Sequence, residues 1–147
     1  MSCSEHETAR RYVHGVFCED IRDEARGNQS LIGIFPGVLR LPPPFPSVIP
    51  KLAAIIWMLS PLNDPSNMDV QVDIPGGEPI TGLTITADAL GEIDPQIPDF
   101  EGTTRQQASA VIRMANLVIP QPGRLRLRVT AWGKTWTAAS LAIIAAA

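Results

Sequence analysis

The chain has 147 residues, enough for one domain but not two, because each half of a divided chain would bury too little apolar surface to hold a core. With 45% apolar residues, fourteen prolines and eleven glycines it reads as a compact, turn-rich fold with few helices, not a disordered chain. A net charge of -3 argues against a nucleic-acid binder, which needs a basic excess to neutralise phosphates.

Residues 1–10 are charged and polar and read as an arm that is ordered only if something holds it. They contain no apolar signal core, so cytoplasmic synthesis without a signal peptide is expected. Cys3 and Cys18 are expected to stay unpaired, since nothing points to an oxidising compartment. Residues 11–147 are expected to form a single domain. Residues 12–18, apolar with an aromatic and two valines, suit a first strand. The charged residues 19–28, closing on Gly27-Asn28, read as a solvated connection that could include a helical turn. Residues 30–35 form a second strand, and residues 37–41 continue or pair with it across the Pro36-Gly37 turn signal.

Residues 42–46, with four prolines, cannot donate ladder hydrogen bonds there and are expected to run as polyproline II along an edge. Residues 52–59 are almost wholly apolar and read as a central strand covered on both faces, with Trp57 in the core. After Asp64-Pro65, Met68, Val70, Val72 and Ile74 alternate with Asp69, Gln71 and Asp73. Pro75-Gly76-Gly77-Glu78 is a turn, and residues 80–87 return from it. Residues 88–105, acidic and broken by Gly91, Pro95, Pro98 and Gly102, read as one long irregular loop. Residues 108–119 form another strand.

The clearest element follows. Leu125, Leu127, Val129 and Ala131 alternate with Arg124, Arg126, Arg128 and Thr130, giving a strand with one dry and one cationic face. Residues 136–143 return as its hairpin partner. Counting back from a two-residue loop places Trp136, Ala138 and Ser140 on the face of Leu125, Leu127 and Val129, and Leu141 and Ile143 on the arginine face. Burying those two with the core needs a one-residue shift, so a β-bulge is expected within residues 137–140. The apolar end, residues 141–147, is far short of the roughly 20 residues of a membrane helix, so no membrane span is expected. About eight strands without an amphipathic helix point to an immunoglobulin-like antiparallel β-sandwich of seven to nine strands.

Four segments carry a resemblance: Phe17-Cys18-Glu19-Asp20-Ile21-Arg22, Ser30-Leu31-Ile32-Gly33-Ile34-Phe35, Pro43-Pro44-Phe45-Pro46 and Leu117-Val118-Ile119-Pro120-Gln121-Pro122-Gly123-Arg124. Together they resemble an uncharacterised family of small bacterial and phage proteins. That family shows a Cys-Asp-Asp-like start, a Ser-Leu-Ile-Gly-like strand and a Pro-x-Pro-Gly-like turn before the last hairpin. The resemblance covers about residues 11–143. It implies an immunoglobulin-like sandwich and brings no activity or catalytic residue with it. The chain departs from the pattern in Trp132 and Trp136, which flank the last turn, and in its apolar tail.

Catalytic spacing is missing. His14 and Cys18 share a strand face but lie roughly 13 Å apart, too far for a nucleophile and its base. Glu5-His6-Glu7 with Cys3 lacks the paired spacing of a zinc site. Asp88, Glu92, Asp94, Asp99 and Glu101 lack the spacing of a calcium loop. No catalytic residue, metal or cofactor is expected. The candidate interaction surface is Arg124, Arg126, Arg128, Trp132, Lys134 and Trp136, with Asp69 and Asp73 as cross-strand partners for the arginines. The expected role is non-enzymatic: a structural or protein-interaction module with a protein partner or a homo-oligomeric state, such as an accessory or decoration component of a phage-like particle. The alternative is a carbohydrate or small-ligand module using the Trp132/Trp136 hairpin.

Overall fold

The computed structural model describes residues 11–61, 64, 66–88 and 105–147. Among the described residues there are nine strands and no helix: β1 (Tyr12–Asp23), β2 (Gln29–Ile34), β3 (Val38–Leu41), β4 (Ser47–Pro61), β5 (Met68–Asp73), β6 (Ile80–Ile85), β7 (Arg105–Ile119), β8 (Gly123–Ala131) and β9 (Lys134–Ala145). They form a four-stranded sheet in the order β2-β1-β4-β7 and a five-stranded sheet in the order β3-β9-β8-β5-β6. The two pack face to face as a β-sandwich. The β4-β7 pair and the β9-β8-β5 series correspond to the B-E and G-F-C neighbours of immunoglobulin domains.

Strand β8 behaves as its alternation demands. Leu125, Leu127 and Val129 are fully buried while Arg124, Arg126 and Arg128 are exposed. The inward side chains meet Leu52, Ala54, Ile56 and Met58 of β4 and Met68, Val70 and Val72 of β5 in one inter-sheet core. Burying each large aliphatic side chain is worth about 1.5–3 kcal/mol, so this layer dominates the stabilisation of the fold.

The expected bulge is present. Val129 pairs with Trp136 and Arg128 with Thr137, but Leu127 then pairs with Ala139, so Ala138 is the extra residue. Beyond it Leu125 faces Leu141 and Gly123 faces Ile143, and both β9 residues are buried. Gly15 of β1 packs at this point. A Cβ added there would sit 3.0 Å from the Ile55 carbonyl oxygen, 3.3 Å from Leu127 Cδ2 and 3.5 Å from Ala138 Cβ. The missing side chain lets β1 close onto the bulged strand.

Several boundaries differ from those expected. β1 does not stop at Cys18 but runs to Asp23, and only residues 24–28 form the turn. Its charges are compatible with a strand because Glu19, Arg22 and Asp23 are exposed while Asp20 pairs with Lys51 at 2.8 Å. Residues 37–41 neither continue β2 nor pair with it. Gly37 turns at φ +86, and β3 enters the other sheet parallel to β9, with Val38 opposite Ala142. Residues 42–46 do not line an edge as polyproline II; they carry the chain from β3 back to the four-stranded sheet, with cis bonds at Pro43-Pro44 and Phe45-Pro46.

β4 starts at Ser47, five residues before the apolar run. Its inner face joins the main core. Its outer face carries Ala53 and Ile55, which form a second buried cluster with Cys18 and Ile21. Trp57 belongs to that outer layer, half-buried, and not to the inter-sheet core. The long acidic loop falls largely outside the described residues, as do the arm and Cys3.

The close approach at Gly15 generates a test. Gly15→Val should overpack the contact between β1 and the bulge and cost about 1–3 kcal/mol. Urea unfolding should show a lower midpoint with an unchanged slope; an unchanged midpoint would mean the sheets have room to part.

Candidate functional site

The six residues singled out from the sequence divide into two places. Arg124, Arg126 and Arg128 lie on the outer face of the five-stranded sheet, where alternate residues of a strand stand about 6.8 Å apart. β5 places Asp73 opposite Arg126 and Gln71 opposite Arg128. Charge compensation is thin. Arg128 reaches Asp73 at 3.5 Å, with 45% of its side chain exposed, and among the described residues Arg124 meets only the Ser140 hydroxyl, at 3.4 Å. Arg126 has no ion pair among the described residues. Asp69 accepts from Thr84 Oγ1 at 2.8 Å and pairs with no arginine. Arg40 on β3 adds a fourth cation, since Leu39 and Leu41 turn inward and leave it exposed on the outer side.

Trp132, Lys134 and Trp136 sit at the tip of the β8-β9 hairpin. Trp136 pairs with Val129 on the core side, so it and the arginines point in opposite directions. Trp132 and Gly133 are the two-residue loop, with φ +51 and +70, the signs a type I′ turn requires. A tryptophan is a poor choice for the left-handed region, and three contacts hold it there. Its backbone N–H donates to Ser66 Oγ at 2.9 Å, its Nε1–H donates to the Asp64 carbonyl at 3.1 Å, and its ring meets Trp136 edge-on at 5.9 Å. Arg11, paired with Asp64 at 2.7 Å, lies 5.5 Å over the Trp132 ring, and Lys134 lies 5.1 Å over Trp136. Each indole therefore has one face taken by a cation, and both rings are half-buried against the core.

The four-stranded sheet presents a different outer face. His14 lies between Tyr12 and Trp57, stacked on each with ring centroids 6.2 and 6.0 Å apart. Cys18 is fully buried on the same sheet, and its thiol reaches the Asp20 carbonyl oxygen at 3.4 Å. Burial pushes that thiol above its ordinary value of 9.0; the carbonyl hydrogen bond opposes the shift and the Asp20 charge adds to it. Lys51 holds the Asp20 carboxylate below its usual 3.8 by a direct hydrogen bond, partial burial opposing and the Ile21 N–H assisting.

Sequence reasoning missed a groove of about 460 Å³ at the side of the sandwich where β2 and β3 diverge. Ile32, Phe35, Leu39, Leu41 and Ile49 line it, with the Lys51–Asp20 pair at its rim. Lining and rim residues come from β1, β2, β3 and β4 and, with Phe35, from the connection after β2, so no local pattern marks them. The groove holds no histidine or cysteine. Among the described residues no three His, Cys, Asp or Glu side chains gather as a metal site would require. No helix there is long and apolar enough to cross a membrane.

Two outcomes follow from this geometry. Cys18 should resist a thiol reagent in the native protein and react fully in denaturant. Because its pKa is raised in the fold, the stability it contributes is present below the unfolded value of 9.0 and is lost as pH rises through the folded value. Fast native labelling of Cys18 at neutral pH, read by peptide mapping apart from Cys3, would contradict the burial. Trp132→Asn keeps a residue suited to the turn but removes the ring contacts, and should cost roughly 1–3 kcal/mol in equilibrium unfolding.

No curated protein and no solved structure matches the chain. A family model matches residues 14–144, from β1 to β9, and the chain belongs to that family, the family of unknown function DUF6941, as the expectation of an uncharacterised family requires.

Proposed function

We propose that this domain is a protein-interaction module that docks an extended acidic segment of a partner along the outer face of the five-stranded sheet. The observation that carries the reading is the row Arg124, Arg126 and Arg128, exposed on one regular strand with a single loose ion pair to the described residues. Four arginines against Asp69 and Asp73 make this face cationic in a chain whose net charge is -3. An extended peptide with alternating carboxylates has the same repeat as the arginine row, and guanidinium groups suit two-pronged pairing with carboxylates. Such a module fits an accessory component of a larger assembly, a phage-like particle being one case.

The carbohydrate reading gains no comparable support. Sugar stacking needs free ring faces, and the hairpin tryptophans are half-buried with a cation over each.

A fluorescent peptide of alternating glutamates, followed by anisotropy, tests the proposal. Binding should weaken with rising salt, and Arg126→Glu should lower affinity by roughly 3- to 10-fold at low ionic strength. No binding at low salt, or equal binding by the Arg126→Glu variant, overturns the reading. Equal affinity for single-stranded DNA of the same charge would also count against it, as general polyanion binding.

A further inference from the structure

Among the described residues the sandwich has four sheet edges, and three of them are guarded. β2 spans six residues, carries Gly33 at φ +65 and is soon followed by Pro36. β3 is four residues long and runs into Pro42. β6 follows Pro79 and is interrupted by Gly82 at φ +83. Shortness, proline and broken geometry are the usual devices that stop an edge from recruiting another strand.

β7 has none of them. It is fifteen residues long, contains no proline or glycine, and pairs with β4 without a break over residues 105–115. Its one irregular residue, Asn116 at φ +52, lies beyond that run. Within residues 107–115 the only charge is Arg113, and its guanidinium donates to the Ile21 carbonyl at 3.0 Å, two strands inward. The charge that would guard this edge leans away from it. In immunoglobulin domains the neighbour on that side is strand D, supplied by the chain between C and E. Among the described residues no strand takes that position, and β7 ends its sheet.

We infer that a second copy of this chain fills the position, β7 pairing antiparallel with its own counterpart about a two-fold axis normal to the four-stranded sheet. Self-pairing centred on Val111 sets Arg113 opposite Ser109 and Gln107 opposite Ala115, so no like charges meet. The same axis keeps outer face on outer face. Val111 is the point at which the cluster of Cys18, Ala53 and Ile55 reaches the edge, so the two clusters merge into one apolar strip across the joint. The result is a continuous eight-stranded sheet with an isologous contact, the commonest symmetry of homodimers. This inference is independent of the arginine face, which belongs to the other sheet.

Light scattering over a concentration series tests it, with hydrogen exchange measured at both ends of the series. The native protein should pass from monomer to dimer, and amides of residues 108–114 should gain protection as the concentration rises. Gln107→Lys with Ser109→Lys places four added charges across the joint on exposed positions, and should raise the dimer dissociation constant about tenfold or more. Thr81→Lys on the guarded β6 edge should leave it unchanged, and circular dichroism confirms that each variant is folded. A monomer at every concentration overturns the inference. So does protection of the β7 amides that ignores dilution, because the edge is then covered within one chain. A dimer that survives the β7 lysines but weakens with Arg126→Glu also overturns it, and moves self-association to the arginine face.

Discussion

The parity of the last strand constrains most of what this molecule can be. A strand turns alternate residues to opposite sides, so the nine residues of β9 beyond Trp136 inherit whichever side the hairpin loop hands them. One extra residue at Ala138 reverses that inheritance halfway along. Trp136 near the loop and Leu141 and Ile143 near the end can then all lie on the side of Leu125, Leu127 and Val129. The arginines of β8 are left facing solvent without aliphatic side chains beside them that need cover. The core and the cationic face are thus two results of one irregularity, and Gly15 makes room for it by leaving a side chain out of the opposing sheet.

What could be read from the sequence was what depends on near neighbours. The alternation of leucine and arginine identified β8, and the conflict between Trp136 and Ile143 over one face was enough to locate the bulge within four residues. The end of β1 was missed because Asp20 and Arg22 look solvated in isolation; Lys51, thirty-one residues away, is what makes a strand residue of Asp20. The layer of Trp57 cannot be read from the sequence, because an apolar run buried on both faces carries no alternation to say which residue points where; it packs half-buried on the outer cluster. β3 could not be assigned because parallel pairing with β9 joins distant parts of the chain.

The candidate surface was legible in part for the same reason. Arginines at alternate positions declare a common face, and the fold keeps them together. Closeness in sequence alone would add the tryptophans to that surface. Their orientation, however, is settled by Asp64 and Ser66, more than sixty residues upstream, which fix Trp132 in its left-handed turn. Adjacency in the chain and adjacency on the surface diverge at a hairpin tip. The half-buried tip serves as a closure for one end of the sandwich, while the arginine row and the β7 edge occupy different sheets.

The parallel contact between β3 and β9 bears on the order in which the fold can assemble. β3 has one partner in its sheet, and that partner lies about a hundred residues further along the chain. During synthesis β1, β2 and β4 can begin their sheet early, since their partners are near in sequence, whereas β3 has no ladder to join until β9 has left the ribosome. β9 in turn takes a place between β3 and β8, as an interior strand of its sheet. The five-stranded sheet is therefore completed from its middle by its last-made element, and the core shared by the two sheets stays open to other chains until that strand is in place.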